Sequence, residues 1–236
     1  VARRAVPPLT ALTKEIPMNL DFSVVGSYLP LLLKGLLVTV EVSAITLVLA
    51  TIAGTFMAMA RLSGRKPLRV VSGIYVWIMR GTPLLLVLFF IYYAAPSIGV
   101  RLPAFVAAII GMTMNSTAYK TEIIRSGIEA IPRTQTEAAL AVGMSYAQTM
   151  RRIVLPQAVR IVIPPYINNA ILLVKNSALV SVITVPDLML NSQQIVSSTY
   201  RAVEILSTAG VLYLLVTSAL MLAQRYSERR FAYYSR

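Results

Sequence analysis

Thr134 to Pro156, TQTEAALAVGMSYAQTMRRIVLP, is the stretch around which the rest of the chain is organised. Its letters spell two short helices. Thr134 and Glu137 stand at the spacing of a capping box, and Ser145 and Gln148 repeat that spacing. Gly143 lies between them, where a left-handed residue ends the first helix. Pro156 has no amide hydrogen and is expected to stop the second. The second helix places Tyr146, Met150, Ile153 and Val154 on one face, and Arg151 and Arg152 on another. A polar pair of helices is therefore embedded in an otherwise apolar chain.

How apolar the chain is follows from its composition. Of its 236 residues 57% are hydrophobic and 13% charged, against roughly 25% charged in an ordinary soluble domain. Five segments approach the ~20 residues that a bilayer requires. They are Leu36–Ala60, Val70–Ala94, Ala104–Ile124, Ile161–Thr184 and Val203–Ala223. The second contains Arg80-Gly81-Thr82-Pro83 and should bend there. The fourth contains Pro164-Pro165, Asn168, Asn169 and Lys175, and so belongs beside other helices or a cavity rather than lipid alone. The expected fold is an all-α integral membrane protein. Residues 1–35 form an extracytoplasmic or interfacial lead-in, with Asp21 to Lys34 lying along the membrane surface. Residues 36–223 form the membrane domain, and residues 224–236 a cytoplasmic tail. No apolar stretch of the kind a secretory signal carries follows Arg3-Arg4. Between spans four and five, LMLNSQQIV reads as a short exterior helix.

The net charge of +13 could suggest a nucleic-acid partner, but the positions of the charges argue for topology instead. Of the 22 Lys and Arg, thirteen fall on one side of an alternating five-span chain. They follow span one (Arg61, Arg65, Lys66, Arg69), separate spans three and four (Arg125, Arg133, Arg151, Arg152, Arg160) or follow span five (Arg225, Arg229, Arg230, Arg236). Arg3, Arg4, Lys14, Arg101 and Arg201 fall on the other side. By the positive-inside rule the N-terminus is outside, the C-terminus is cytoplasmic, and the helix pair at 134–156 is cytoplasmic.

The chain has no His and no Cys, which removes disulfides, thiolate chemistry and the commonest general base. It carries no HExxH, no GxSxG and no Walker A, since no Gly is followed by Lys anywhere. Nucleotide-driven work would therefore need a second chain, and an exposed helix-turn-helix is a suitable place for that chain to dock.

Glu137-Ala138-Ala139, then Gly143, then Ile153, Leu155 and Pro156, reproduce the EAA loop with its spacing. The chain is identified by these residues as resembling the permease subunits of ABC-type importers. Arg80-Gly81-Thr82-Pro83-Leu84 with Ile91-Tyr92-Tyr93, NSTAYKTEIIRSGI (115–128) and KNSALVSVI (175–183) resemble the second, third and fourth spans of the polar amino acid branch, the histidine, glutamine, arginine and cystine type. The similarity runs from about Phe22 to Arg225. It implies a type I importer fold in a bacterial cytoplasmic (inner) membrane. It also implies a second permease subunit, identical or related, and an extracytoplasmic solute-binding protein. A pair of cytoplasmic ATPase subunits would receive the loop at Glu137, Ala138, Ala139, Gly143, Ile153, Leu155 and Pro156. ATP and Mg would belong to those ATPases, leaving this chain without cofactor, metal or catalytic residue. Three positions depart from the family pattern: Val87 where Gln is common, Lys120 where a small residue is common, and Ala178 where Ser or Thr is frequent.

Polar groups inside spans default to functional sites. Asn115, Tyr119 and Glu122 share one face of span three, and Asn168, Leu172, Lys175 and Leu179 share one of span four. A zwitterionic amino acid needs an acceptor for its ammonium and donors for its carboxylate. Glu122 and Lys175 would supply one each, with Asn115, Ser116 and Ser177 as neutral partners. Against this, Glu122 lies near the cytoplasmic end, where pairing with Lys120 or Arg125 would hold the bundle. Arg80 at the bend reads as a clamp on freed carbonyls. Lys120 and Lys175 hint at a carboxylate-bearing solute. Two other functions are weighed against import. An ion-coupled secondary transporter would show an inverted repeat with paired broken helices, and none is visible. A membrane scaffold recruiting a soluble partner would explain the loop but not the polar faces of spans three and four.

Overall fold

A computed structural model describes residues 20–232, and every regular element within them is helical. Helix α1 spans Ser23–Leu62, α2 Lys66–Gly81, α3 Leu84–Phe89, α4 Ala104–Glu129, α5 Arg133–Ala141, α6 Tyr146–Thr149, α7 Leu155–Asn176, α8 Leu188–Thr199 and α9 Ala202–Ala232. Three stretches are each long and apolar enough to cross a bilayer: α1, the run Tyr146–Ile183, and α9. Helix α2 and the run Leu84–Ile98 that begins with α3 pass the same test only as a pair, bent by 104° at the break between them. Helix α4, which covers span three of the sequence, has 26 residues and carries Lys120, Glu122 and Arg125, and it falls outside the set of helices apolar enough by that test. The residues before 20 lie outside the described part, so most of the 1–35 lead-in is not addressed by the structure.

The packing is the reverse of a soluble core. On α1 the buried stripe is Leu32, Gly35, Thr39, Val42, Ser43, Thr46, Ala50, Gly54 and Ala58. Large apolar side chains on the same helix, Leu37, Val48, Ile52 and Phe56 among them, are exposed. Lipid is as apolar as leucine, so association between membrane helices rests on small residues that let backbones approach. Helix α4 answers with buried Ala107, Ala108, Thr117, Ala118 and Thr121, while its Gly111 lies against Leu88 and Ile91. At the closest point a Cβ on Gly54 would stand 2.8 Å from Cβ of Lys120 and 3.3 Å from the Thr117 carbonyl oxygen. The central apolar cluster gathers Val42, Leu88, Ala107, Ala108, Met112, Leu173, Val180 and Ile183 around this pair.

Two helices run past the boundaries expected from the sequence. Residues 23–35 form the first turns of α1, continuous with span one and with Pro30 inside it. The helix is continuous here because Leu32 packs against Leu188, Ile195 and Ile205, giving the segment a buried face of its own. Residues 224–232 continue α9 as helix, and there Gln224 donates to Glu228 one turn on, at 2.9 Å. The segment after span four does contain a helix, α8, with Asp187 at its N-cap accepting from the Leu190 amide at 2.9 Å.

Candidate functional site

The elbow between α4 and α7 consists of α5, α6 and the turns that join them. Pro132 is the N-cap residue of α5, with no side-chain cap. The capping box expected from Thr134 and Glu137 therefore does not form. The helix begins one residue before Thr134, because Pro132 presets the backbone and takes the cap position itself. Glu137 is exposed and free of capping duty. The end of α5 is a Schellman motif. Gly143 donates to the Leu140 carbonyl at 2.9 Å and Met144 to that of Ala139 at 3.1 Å, with Gly143 left-handed at φ 84°. The box expected at Ser145 and Gln148 is complete: the Gln148 amide donates to Ser145 Oγ at 3.3 Å, and the Ser145 amide to Gln148 Oε1 at 2.9 Å.

Pro156 does not end this helix. Residues Met150–Val154 form a π turn, and Pro156 then occupies the first turn of α7. The wider turn accommodates the missing donor that would break a regular α-helix. The second arm of the elbow is thus continuous with the fourth span from Tyr146 to Ile183. Across the elbow, Ala139, Thr149 and Val154 are buried, while Leu140, Val142 and Tyr146 are exposed, Val142 at 78%. Of the other loop residues, Ala138, Leu155 and Pro156 are exposed and Ile153 is half-buried.

The second feature is a cavity of about 500 Å³ at the bend between α2 and α3. Arg80, Thr82 and Pro83 come from the bend; Met112, Asn115, Ser116 and Tyr119 from α4; Asn169, Leu172, Leu173 and Asn176 from α7. The bend leaves the last carbonyls of α2 without helical partners. One of them, Met79 O, accepts from Asn115 Nδ2 at 2.9 Å. The clamp on the freed carbonyl is therefore Asn115 and not Arg80. The Arg80 guanidinium lies 5.7 Å from the centre of the Tyr119 ring and 3.9 Å from Glu122. Ser116 is 5% exposed, and its hydroxyl is buried without a hydrogen-bond partner.

Glu122 is beside the cavity but not in it. It pairs with Arg125 at 2.7 Å, Arg61 at 3.6 Å and Arg80 at 3.9 Å, and Arg125 also pairs with Glu129. One carboxylate thus ties α1, α2 and α4 together, the bundle-holding role. Asn168 and Lys175 are exposed and absent from the cavity wall; their chain neighbours Asn169 and Asn176 line it instead. Ser177 is buried and donates to the Val174 carbonyl at 2.7 Å. The shift has a simple cause. One residue turns the helix face by about 100°, and a face chosen from polarity at 168, 172, 175 and 179 misses the one at 169, 172, 173 and 176. That second set is also i, i+3, i+4, i+7, so its signal was present in the sequence but shared with its neighbour. Among the described residues no group of acidic side chains could hold a metal ion.

The comparisons with known proteins fit this geometry. Residues 23–233 match the family described as the binding-protein-dependent transport system inner membrane component. The arginine transport system permease protein ArtQ of Bacillus subtilis is 36% identical over 90% of this chain and 98% of its own length. The L-cystine transport system permease protein TcyB of the same organism is 36% identical over 94% of both. The glutamine transport system permease protein GlnP of Escherichia coli K12 is 34% identical over 90% of this chain and 98% of its own. A crystal structure of an amino acid ABC transporter with histidines contains a chain that superposes with a TM-score of 0.86, 36% identical, covering 90% of this chain and 100% of that one. The MetNI methionine transporter in an inward-facing form shares the fold, with a TM-score of 0.72 at 20% identity. The chain belongs to the inner membrane component family of binding-protein-dependent transport systems: it is a multi-pass permease subunit of an ABC importer.

Proposed function

We propose that this subunit carries a polar amino acid inward through the 500 Å³ cavity, driven by a pair of ATPase subunits docked on residues 134–156. The observation that carries this reading is mechanical. The elbow's second arm and the cavity wall are one helix, Tyr146–Ile183. From Pro156 to Asn169 is 13 residues, or ~20 Å along the axis. A push at the elbow therefore moves the wall at Asn169, Leu172 and Asn176. The Schellman turn and the capping box keep the push from being absorbed locally. The exposed apolar side chains Leu140, Val142 and Tyr146 offer the ATPase a contact surface beside Glu137 and Ala138.

ATP and Mg bind to those partner subunits in this reading. A solute-binding protein delivers the substrate from outside, and the named substrates of the relatives (arginine, cystine, glutamine) support a polar amino acid. Two charges inside spans, Glu41 and Lys175, are exposed. Charges do not face hydrocarbon unaided, which supports a second permease subunit, identical or related, against this one. The distribution of Lys and Arg supports an outside N-terminus and a cytoplasmic elbow and C-terminus.

Co-expression with a candidate ATPase, and purification through a tag on this chain, tests the docking. Glu137→Lys and Gly143→Pro should release the ATPase while the membrane bundle keeps its helical content. Retention of the ATPase with unchanged substrate-stimulated hydrolysis in both variants would refute it. Because the chain has no Cys, single cysteines placed at Tyr146 and Tyr200 report the topology. An impermeant thiol reagent applied to intact cells should label the second and not the first.

A further inference from the structure

Lys120 is the one basic side chain among the described residues that is fully buried, and no carboxylate pairs with it there. It is nevertheless a built position. Gly54 of α1 makes room for its stem. Its Nζ sits 4.2 Å from the centre of the Tyr166 ring, a cation–π distance. The Tyr166 hydroxyl is itself held, sharing a hydrogen bond of 2.5 Å with Thr51. The single polar partner of Lys120 is Asn169, whose Oδ1 accepts from Nζ at 3.3 Å.

An ammonium group can only donate. It therefore decides which way the Asn169 amide lies, since the flipped amide would set a donor against a donor. With Oδ1 committed to Lys120, the amide hydrogens of Nδ2 are what Asn169 has left for the cavity that it lines. Around it are the Arg80 guanidinium and the unpartnered Ser116 hydroxyl. Among the described residues no Asp or Glu lines this cavity, and Glu122 beside it is surrounded by three arginines.

We propose that Lys120 is a specificity-determining positioning residue: by fixing the Asn169 amide it turns a donor into the cavity, which then accepts carboxylate groups and selects neutral and acidic amino acids over cationic ones. This rests on the reading of the cavity as the substrate site.

The test uses the purified complex of this chain with its permease and ATPase partners, without binding protein. Radiolabelled L-glutamate, L-glutamine and L-arginine are the probes for equilibrium binding. The wild-type complex should bind glutamate and glutamine in preference to arginine. Asn169→Asp keeps a partner for Lys120, so the bundle holds, but replaces the donor with an acceptor. It should weaken glutamate by about tenfold to a hundredfold, the loss expected for a hydrogen bond to a charged group, and narrow or reverse the margin over arginine. Lys120→Met should weaken glutamate and glutamine with the number of binding sites unchanged. A purely structural role would lower the number of sites and leave the preference among the three probes alone. Preference for arginine in the wild type, or an unchanged preference in Asn169→Asp, overturns the proposal. Leu172→Trp fills the cavity from an exposed position and separates the two failures. If it leaves binding intact, or if the wild type binds none of the probes, the cavity is not the substrate site. If it abolishes binding while Asn169→Asp changes nothing, only the role of Lys120 is wrong.

Discussion

Asp187→Asn should make this protein more stable at neutral pH, although it removes a buried charge that is fully hydrogen-bonded. Asp187 is 0% exposed, in the turn between the fourth and fifth spans. One carboxylate oxygen caps α8 through the Leu190 amide, and the other accepts from the Tyr213 hydroxyl at 3.3 Å. Burial nevertheless dominates and pushes the carboxyl up from 3.8 to about 6, the hydrogen bonds only partly offsetting it. Between these two values the unfolded chain binds fewer protons than the folded one. The contribution of Asp187 to stability is thus fully present below pH 4, falls as pH rises towards 6, and stays lost above it. A shift of about two units at ~1.4 kcal/mol each corresponds to roughly 3 kcal/mol. Asn is neutral, caps helices as well as Asp through Oδ1, and its Nδ2 can donate to the Tyr213 hydroxyl in place of the bond that the second carboxylate oxygen accepts. The variant should therefore equal the wild type near pH 4 and exceed it by up to about 3 kcal/mol at about pH 7.5. Thermal unfolding in detergent, followed by circular dichroism across this range, gives the difference curve and cancels every other titrating group. A flat curve, or a variant less stable than the wild type at neutral pH, would show that the folded protein needs the ionised carboxylate.

Three further outcomes follow from the backbone. Gly143→Ala forces a side chain into a left-handed position at φ 84°, which costs about 1–2 kcal/mol; hydrogen exchange at the Met144 amide should speed about 5- to 30-fold, and unchanged protection would mean the turn relaxes without cost. Ser145→Ala removes the acceptor for the Gln148 amide, a loss of about 1 kcal/mol; fewer amino acids should be carried per ATP hydrolysed, with Ser145→Asp restoring the ratio, and equal ratios in all three proteins would separate the cap from coupling. Thr184 is a β-branched residue at φ 65°, so Thr184→Gly should raise stability by about 1 kcal/mol despite the lost contact with Tyr92 at 3.3 Å; a lower unfolding temperature would refute the strain.

Individual residues show where sequence reasoning held and where it stopped. The Ser145–Gln148 box formed as its letters imply, because every group in it lies within four residues. The same spacing at Thr134 and Glu137 did not form a box, because Pro132 just upstream holds the cap position. Pro156 was read by its usual effect and escaped it through a π turn, a device with no letter code of its own. Arg80 was assigned to the freed carbonyl at the bend, but Asn115, 36 positions along the chain, reaches Met79 first.

The amino-acid sequence by itself determined the membrane class, the bend at Gly81–Pro83 and the left-handed Gly143. Each of these rests on composition, or on groups a few residues apart whose energies do not depend on the rest of the molecule. Only the tertiary structure decided which polar residues meet. Asn169 rather than Asn168 lines the cavity, Lys120 turns to Asn169, and Glu122 is taken by three arginines. Those choices depend on how far each helix is rotated about its axis. The rotation is set by close approach along small-residue stripes such as that at Gly54, and by the 104° break between α2 and α3. A rotation of one residue exchanges the face that meets the cavity for the one beside it.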